Sequence, residues 1–292
     1  MSRFLLFAAT NLAVLLLASL VMKLLGVNPR SMMGLLIFAA LLGFGGSYIS
    51  LLMSKRMALM STGARIITQP RDAGERWLLA TVERQARAAG IGMPDVAIFD
   101  APDMNAFATG SDRNHALVAV STGLLRQMRP EEIEAVLGHE IGHIANGDMV
   151  TMTLLQGVLN TFVVFLSRVV AGVIDSAMRG NRDSESHHGP GIAYFLIATV
   201  LEIVFGLMAT AIAMWFSRRR EFRADDAGAR LASRGQMIAA LQRLKGNHAQ
   251  TSLPDQVEAF GISGGAGTSL LRKLFMSHPP LDERIAALQA AA

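Results

Sequence analysis

The stretch "VLGHEIGHIANGDM" (residues 136–149) decides how this chain is read, because it sets His139 and His143 four residues apart within an apolar frame. On a helix of about 3.6 residues per turn, that spacing puts both imidazoles on one face, roughly one turn apart. The separation suits two ligands of a single tetrahedral zinc ion. Glu140 is offset around the helix, so its carboxylate can reach a water beside the metal without joining the coordination shell. There it can serve as general base and later hand the proton to a leaving amine. A polar, solvent-facing helix could carry the same letters by chance. Two features oppose that: Val136, Leu137, Ile141 and Ile144 make the helix a packed one, and Gly138 and Gly142 each cost about 1 kcal/mol against Ala in mid-helix. Close packing or substrate approach would account for the glycines. Pro130, Glu131 and Glu132 mark the helix start, and Gly147 its stop or kink.

A catalytic zinc needs a third protein ligand, and the absence of Cys restricts the choice to His, Asp or Glu. A third His ten residues after the first is excluded, since Met149 stands there. The segment "RRREFRADDAGARLA" (218–232) offers Glu221 as ligand, with Asp225 one turn further on the same face. Asp225 is placed to accept an N–H from a ligand histidine and so set its tautomer. Taken alone, this segment also reads as a charged helix laced with local Glu–Arg pairs. The histidine pair tips the reading toward a metal.

The rest of the composition points to a membrane. Apolar residues make up 51% of the 292 and charged residues only 17%, against about 25% in an ordinary soluble domain. A net charge of +4 does not argue for a nucleic-acid partner, because the bases cluster beside apolar runs, as "SKR" (54–56) and "SRRR" (217–220). Four such runs, 4–22, 31–53, 149–174 and 191–216, predict two transmembrane hairpins. The first is too long for a signal-peptide core and lacks a small-x-small cleavage pattern. Lys55, Arg56, Arg65 and Arg71 follow the second run, whereas the intervening loop offers mainly Arg30, so residues 55 onward are expected in the cytoplasm. The second pair is less clean, with Arg168 and Glu202 in its deeper half. These two are expected to pair across the hairpin; the alternative is that one or both runs lie partly in the interface or pack as buried helices. His187 and His188, in the outer loop, read as surface residues.

The expected domains are thus an N-terminal hairpin (1–53), a domain formed from 54–148 and 217–292, and a second hairpin (149–216) inserted between its halves. Within the domain, 71–91 reads as an amphipathic helix carrying Trp77, Leu78, Val82 and Ala86. Residues 94–102, 105–110 and 116–125 read as short β-type runs, and 261–269 as a Gly-rich loop. Amide hydrolysis also calls for a donor to the developing oxyanion. Both tyrosines, Tyr48 and Tyr194, fall inside apolar runs, which leaves His278, Arg284, Asn105, His115 or His248 as candidates, the first two being favoured. A helix cap with Arg284 in a structural ion pair is the alternative. The 105–110 and 116–122 stretches suit either an edge strand for an extended substrate or ordinary sheet core.

"HEIGH" (139–143), "SRRREFRADDAGA" (217–229), "NAFATG" (105–110) and "SHPPLDERI" (277–285), spaced around two apolar hairpins, resemble the HtpX membrane-bound zinc metalloproteases, heat-shock enzymes related to the CAAX prenyl proteases. The resemblance spans essentially the whole chain. It implies a mainly α membrane protein, with two transmembrane helical hairpins and a cytoplasmic α+β zincin-like (gluzincin) domain holding a small β-sheet. It further implies one Zn2+ per chain on His139, His143 and Glu221, Glu140 as catalytic acid/base, and Asp225 supporting a ligand. Cleavage of misfolded or damaged membrane proteins and unfolded polypeptides, on the cytoplasmic side of the inner membrane, is likewise an implication of the resemblance. Two other classes remain: a membrane protein clasped by a structural zinc, and a scaffold or transporter using Arg168 and Glu202.

Overall fold

In this computed structural model, residues 20, 23–24, 31–179, 191–248 and 276–291 are described. The expected first apolar run (but for Leu20), His187, His188, the 261–269 loop and the His248 side chain lie outside the described residues. The chain separates into two compact units, one formed by residues up to Ser50 with Met152–Ala213, the other by Leu51–Thr151 with Met214–Ala292.

Within the first unit, parts of three long helices pack together: α1 (Met32–Thr62), α5 (Asp148–Arg179) and α6 (Ile192–Leu231). Among the described residues these are the three helices long and apolar enough to cross a membrane. Phe162, Phe195, Val200 and Leu207 are all exposed, a surface suited to lipid rather than water. Gly43 of α1 lets α5 come close, since a Cβ there would fall 2.6 Å from the carbonyl oxygen of Gly157. Such small-residue crossings are how membrane helices approach without a hydrophobic driving force. Arg168 donates from Nη1 to Glu202 Oε1 at 2.5 Å, the pairing the sequence predicts, and its guanidinium lies 5.9 Å from the Phe38 ring centroid.

The second unit is built on a four-stranded mixed sheet: β1 (Arg65–Ile66), β2 (Asp95–Phe99), β3 (Ala106–Gly110) and β4 (Ala116–Ser121), in the order β1-β2-β4-β3. β2 and β4 run parallel; the two edge pairings are antiparallel. Period-two alternation gives the sheet two apolar faces. Val96, Val118 and Val120 face a core with Leu78, Val82 and Ala86 of α2 (Ala73–Ala88), while Ala97, Phe99, Leu117 and Ala119 are covered by Ala58 and Leu59 from the end of α1. β4 is therefore buried along its whole length. The expected β-type run 116–125 ends earlier: Ser121 caps Leu124 N–H and starts a short helix α3 (Thr122–Gln127). The two-residue β1 carries too little pattern to be read from sequence.

The histidines lie on α4 (Pro130–Asn146), which begins at Pro130 with the Glu132 carboxylate accepting Arg129 N–H, and stops at Gly147 in the left-handed region (φ 67°). Glu221 lies on the same unbroken helix as its apolar run, α6, whereas Gly147, the expected stop or kink, separates α4 from α5. Helices α7 (Arg234–His248) and α8 (Leu281–Ala290) also belong to the unit, with Met237, Leu241 and Leu288 in the same core as α4.

Candidate metal centre

α4 and the C-terminal part of α6 cross at small residues. A Cβ on Gly142 would stand 2.6 Å from Ala227 Cβ, and one on Gly138 would stand 3.1 Å from Gly228 Cα. Close packing is thus what the two mid-helix glycines serve, and it brings Glu221 to the histidine face.

Donor atoms of three residues converge there. His139 Nε2 and His143 Nε2 are 3.1 Å apart, and Glu221 contributes Oε2 at 3.6 Å from His139 Nε2 and Oε1 at 3.4 Å from His143 Nε2. Donors about 2.0–2.1 Å from a tetrahedral zinc stand about 3.3 Å from one another, so these separations fit such an ion. The hydrogen bonding behind the donors agrees. His139 Nδ1–H donates to Asp225 Oδ1 (2.9 Å) and His143 Nδ1–H to Asp148 Oδ2 (2.6 Å). A ring that donates from Nδ1 presents a lone pair at Nε2 when neutral. Two lone pairs and a carboxylate facing one point call for a cation. Glu221 Oε1, fully buried, has no hydrogen-bond partner among the described residues.

The electrostatics carry the same preference. Burial works against an imidazolium at His143, yet the hydrogen bond to Asp148 and the nearby Glu221 carboxylate outweigh it and push its pKa up to about 9. Burial opposes charge at His139 as well, and Asp225 and Glu221 again raise it. The pocket stabilises positive charge where the two Nε2 atoms look.

Glu140 is buried, has no hydrogen-bond partner among the described residues, and lies close enough to act electrostatically on His143 and Arg284. Asp225 is gripped by Arg284 through Nε at 2.7 Å and Nη2 at 2.5 Å, a bidentate pair that leaves Nη1 3.6 Å from Glu221 Oε2. Arg284 Nη2 also lies 3.4 Å from His139 Nδ1, the nitrogen that faces Asp225 Oδ1 at 2.9 Å. His278 donates from Nδ1 to Glu221 Oε2 at 2.7 Å, its side chain 59% exposed. The other candidates stand apart. Exposed Asn105 bonds through its backbone to Ser121, just before edge strand β3, and His115 pairs with Asp112 on the loop after it. Asp148 and Arg223 were not singled out in the sequence. Arg223 Nη2 donates to Asp148 Oδ1 at 3.2 Å, behind His143.

Fold and centre together define a membrane metallopeptidase. The model of peptidase family M48 matches residues 72–292, and the chain belongs to that family. It is 69% identical to Protease HtpX of Xanthomonas campestris pv. campestris (strain B100) over 290 residues, covering 99% of this chain and 98% of that protein. It is 68% identical, with the same coverage, to Protease HtpX of Xanthomonas oryzae pv. oryzae (strain MAFF 311018). In fold it resembles the crystal structure of S. mikatae Ste24p, with a TM-score of 0.67 at 20% identity, covering 98% of this chain and 64% of that one. The protein is a membrane metalloendopeptidase.

Proposed function

We propose that this enzyme is a zinc endopeptidase of the inner membrane, with one Zn2+ per chain held by His139, His143 and Glu221, that cuts misfolded or damaged membrane proteins and unfolded polypeptides on the cytoplasmic side. The observation that carries the proposal is the convergence of three donors at tetrahedral spacing beside the carboxylate of Glu140, which has no hydrogen-bond partner among the described residues. Zinc in that position would supply a Lewis acid for the scissile carbonyl and lower the pKa of water there toward about 7. Glu140 is placed to take a proton from that water and to deliver it to the departing amine. Asp225 holds His139 in the tautomer that leaves Nε2 free, and Arg284 holds Asp225. His278, whose ring is exposed, and Arg284, whose Nη1 is not used on Asp225, are the candidate donors to the oxyanion. Edge strand β3, preceded by Asn105, offers an unpaired backbone to an extended substrate.

The proposed topology places 54–148 and 217–292 in the cytoplasm and 1–53 and 149–216 in the bilayer, supported by the bases at 55–56 and 217–220.

The deciding experiment compares the wild type with Glu140→Gln, purified in detergent, for bound zinc and for cleavage of an unfolded protein. The variant is expected to retain one zinc and to lose about 10²- to 10⁴-fold in rate. Zinc retained with undiminished cleavage would remove Glu140 from the mechanism. Zinc retained with no cleavage by either protein would favour a structural clasp.

A further inference from the structure

We propose that Asp148, held by Arg223, is a positioning residue for the metal ligand His143. This inference rests on the zinc reading above.

The carboxylate is only 1% exposed and divides its two oxygens between two partners: Oδ2 accepts from His143 Nδ1 at 2.6 Å, and Oδ1 accepts from Arg223 Nη2 at 3.2 Å. The opposite ligand shows the same chain of contacts. His139 rests on Asp225, and Asp225 rests on Arg284. Each imidazole is therefore backed by an aspartate, and each aspartate by an arginine. Such a carboxylate fixes the ring's tautomer and orientation and raises the basicity of the nitrogen that faces the metal.

The two halves are reached by different routes along the chain. Asp225 and Glu221 are four apart on one helix. Asp148 follows His143 by five, and on an unbroken helix five residues turn about 500°, leaving the two side chains about 140° apart. They meet because Gly147 (φ 67°, ψ 31°) interrupts the helix between them and Asp148 opens the next one. The left-handed conformation there is one that glycine adopts without strain. Arg223 comes from the ligand helix α6, two residues from both Glu221 and Asp225, so that one helix supplies a ligand and braces both histidines.

The test measures zinc affinity by competition with a chelator, and the visible spectrum of the Co2+-substituted protein, for wild type, Asp148→Asn, Asp148→Glu, Arg223→Met and, as yardstick, Asp225→Asn. Asp148→Asn is expected to weaken zinc by about 10- to 100-fold, matching Asp225→Asn, and to change the cobalt spectrum. Asp148→Glu should recover part of the affinity, and Arg223→Met, altering a side chain 57% exposed, should give a smaller loss of the same kind. Wild-type affinity and spectrum in folded Asp148→Asn and Arg223→Met would overturn the inference while leaving the zinc reading intact. Absence of metal from the wild type itself would instead overturn the zinc reading, and the inference with it. Should Asp148→Asn fail to fold, Arg223→Met decides alone.

Discussion

The charges gathered around Glu221 and the pair Arg168–Glu202 are both held within helix packing, but they are assembled on different terms. In the first group the side chains of His139, His143, Glu221, Asp225 and Arg284 are at most 12% exposed, and nearly every polar atom is directed at a named partner. In the second, Arg168 and Glu202 keep 26% and 36% exposure and share one ion pair, a backbone carbonyl and an aromatic face. Glycine brings helices close beside the first group, at Gly138 and Gly142, and also at the α1–α5 crossing, at Gly43 and Gly157. Close approach is thus not peculiar to the first group. What separates the two groups is the excess of acceptors: Glu221, Asp225, Asp148 and Glu140 outnumber Arg284 and Arg223, whereas Arg168 and Glu202 cancel. An unbalanced cluster has reason to take up a cation; a balanced pair needs none.

The sharpest test of that distinction is to neutralise one carboxylate in each group. Glu221→Gln is expected to lower zinc affinity by at least about 100-fold in a chelator titration, while Glu202→Gln leaves it unchanged. Equal losses would erase the contrast. A smaller effect is expected from filling the two crossings. Gly142→Val and Gly43→Val should each lower thermal stability in detergent by about 1–3 kcal/mol, through overpacking. Only Gly142→Val should also lower zinc affinity, because it pushes Glu221 away from the histidines. The least change is expected at the ion pair: Arg168→Met costs about 1 kcal/mol, and the double variant with Glu202→Met returns close to wild type. A double variant worse than the single would mean the pair does more than balance itself.

Much of the geometry of the candidate metal centre could be read from residue order because its parts are local. His139, Glu140 and His143 sit within one helical turn, and Glu221 and Asp225 within another, so periodicity alone assigns each set a face. The helix limits at Pro130 and Gly147 follow from residues whose backbone preferences are strong. The apolar runs announce long helices for the same reason, and the Arg168–Glu202 pairing could be foreseen because two lone charges in apolar helices have few other partners. The short strand β1 left no such trace, and the helical turn at 122–127 was hidden inside a β-like run by the Ser121 cap.

The order of residues by itself determined which side chains share a helix face, where helices stop, and that the chain belongs with membranes, since each depends on interactions between near neighbours or on composition. Only the tertiary structure decided that Gly138 and Gly142 face Gly228 and Ala227, that Arg284 grips Asp225, and that Asp148 turns back onto His143 with Arg223 behind it. Those contacts join residues as far apart in the chain as Gly138 and Gly228, and their geometry depends on how closely two helices cross and on one left-handed glycine. No local preference encodes such distances; they appear once packing has chosen which faces meet.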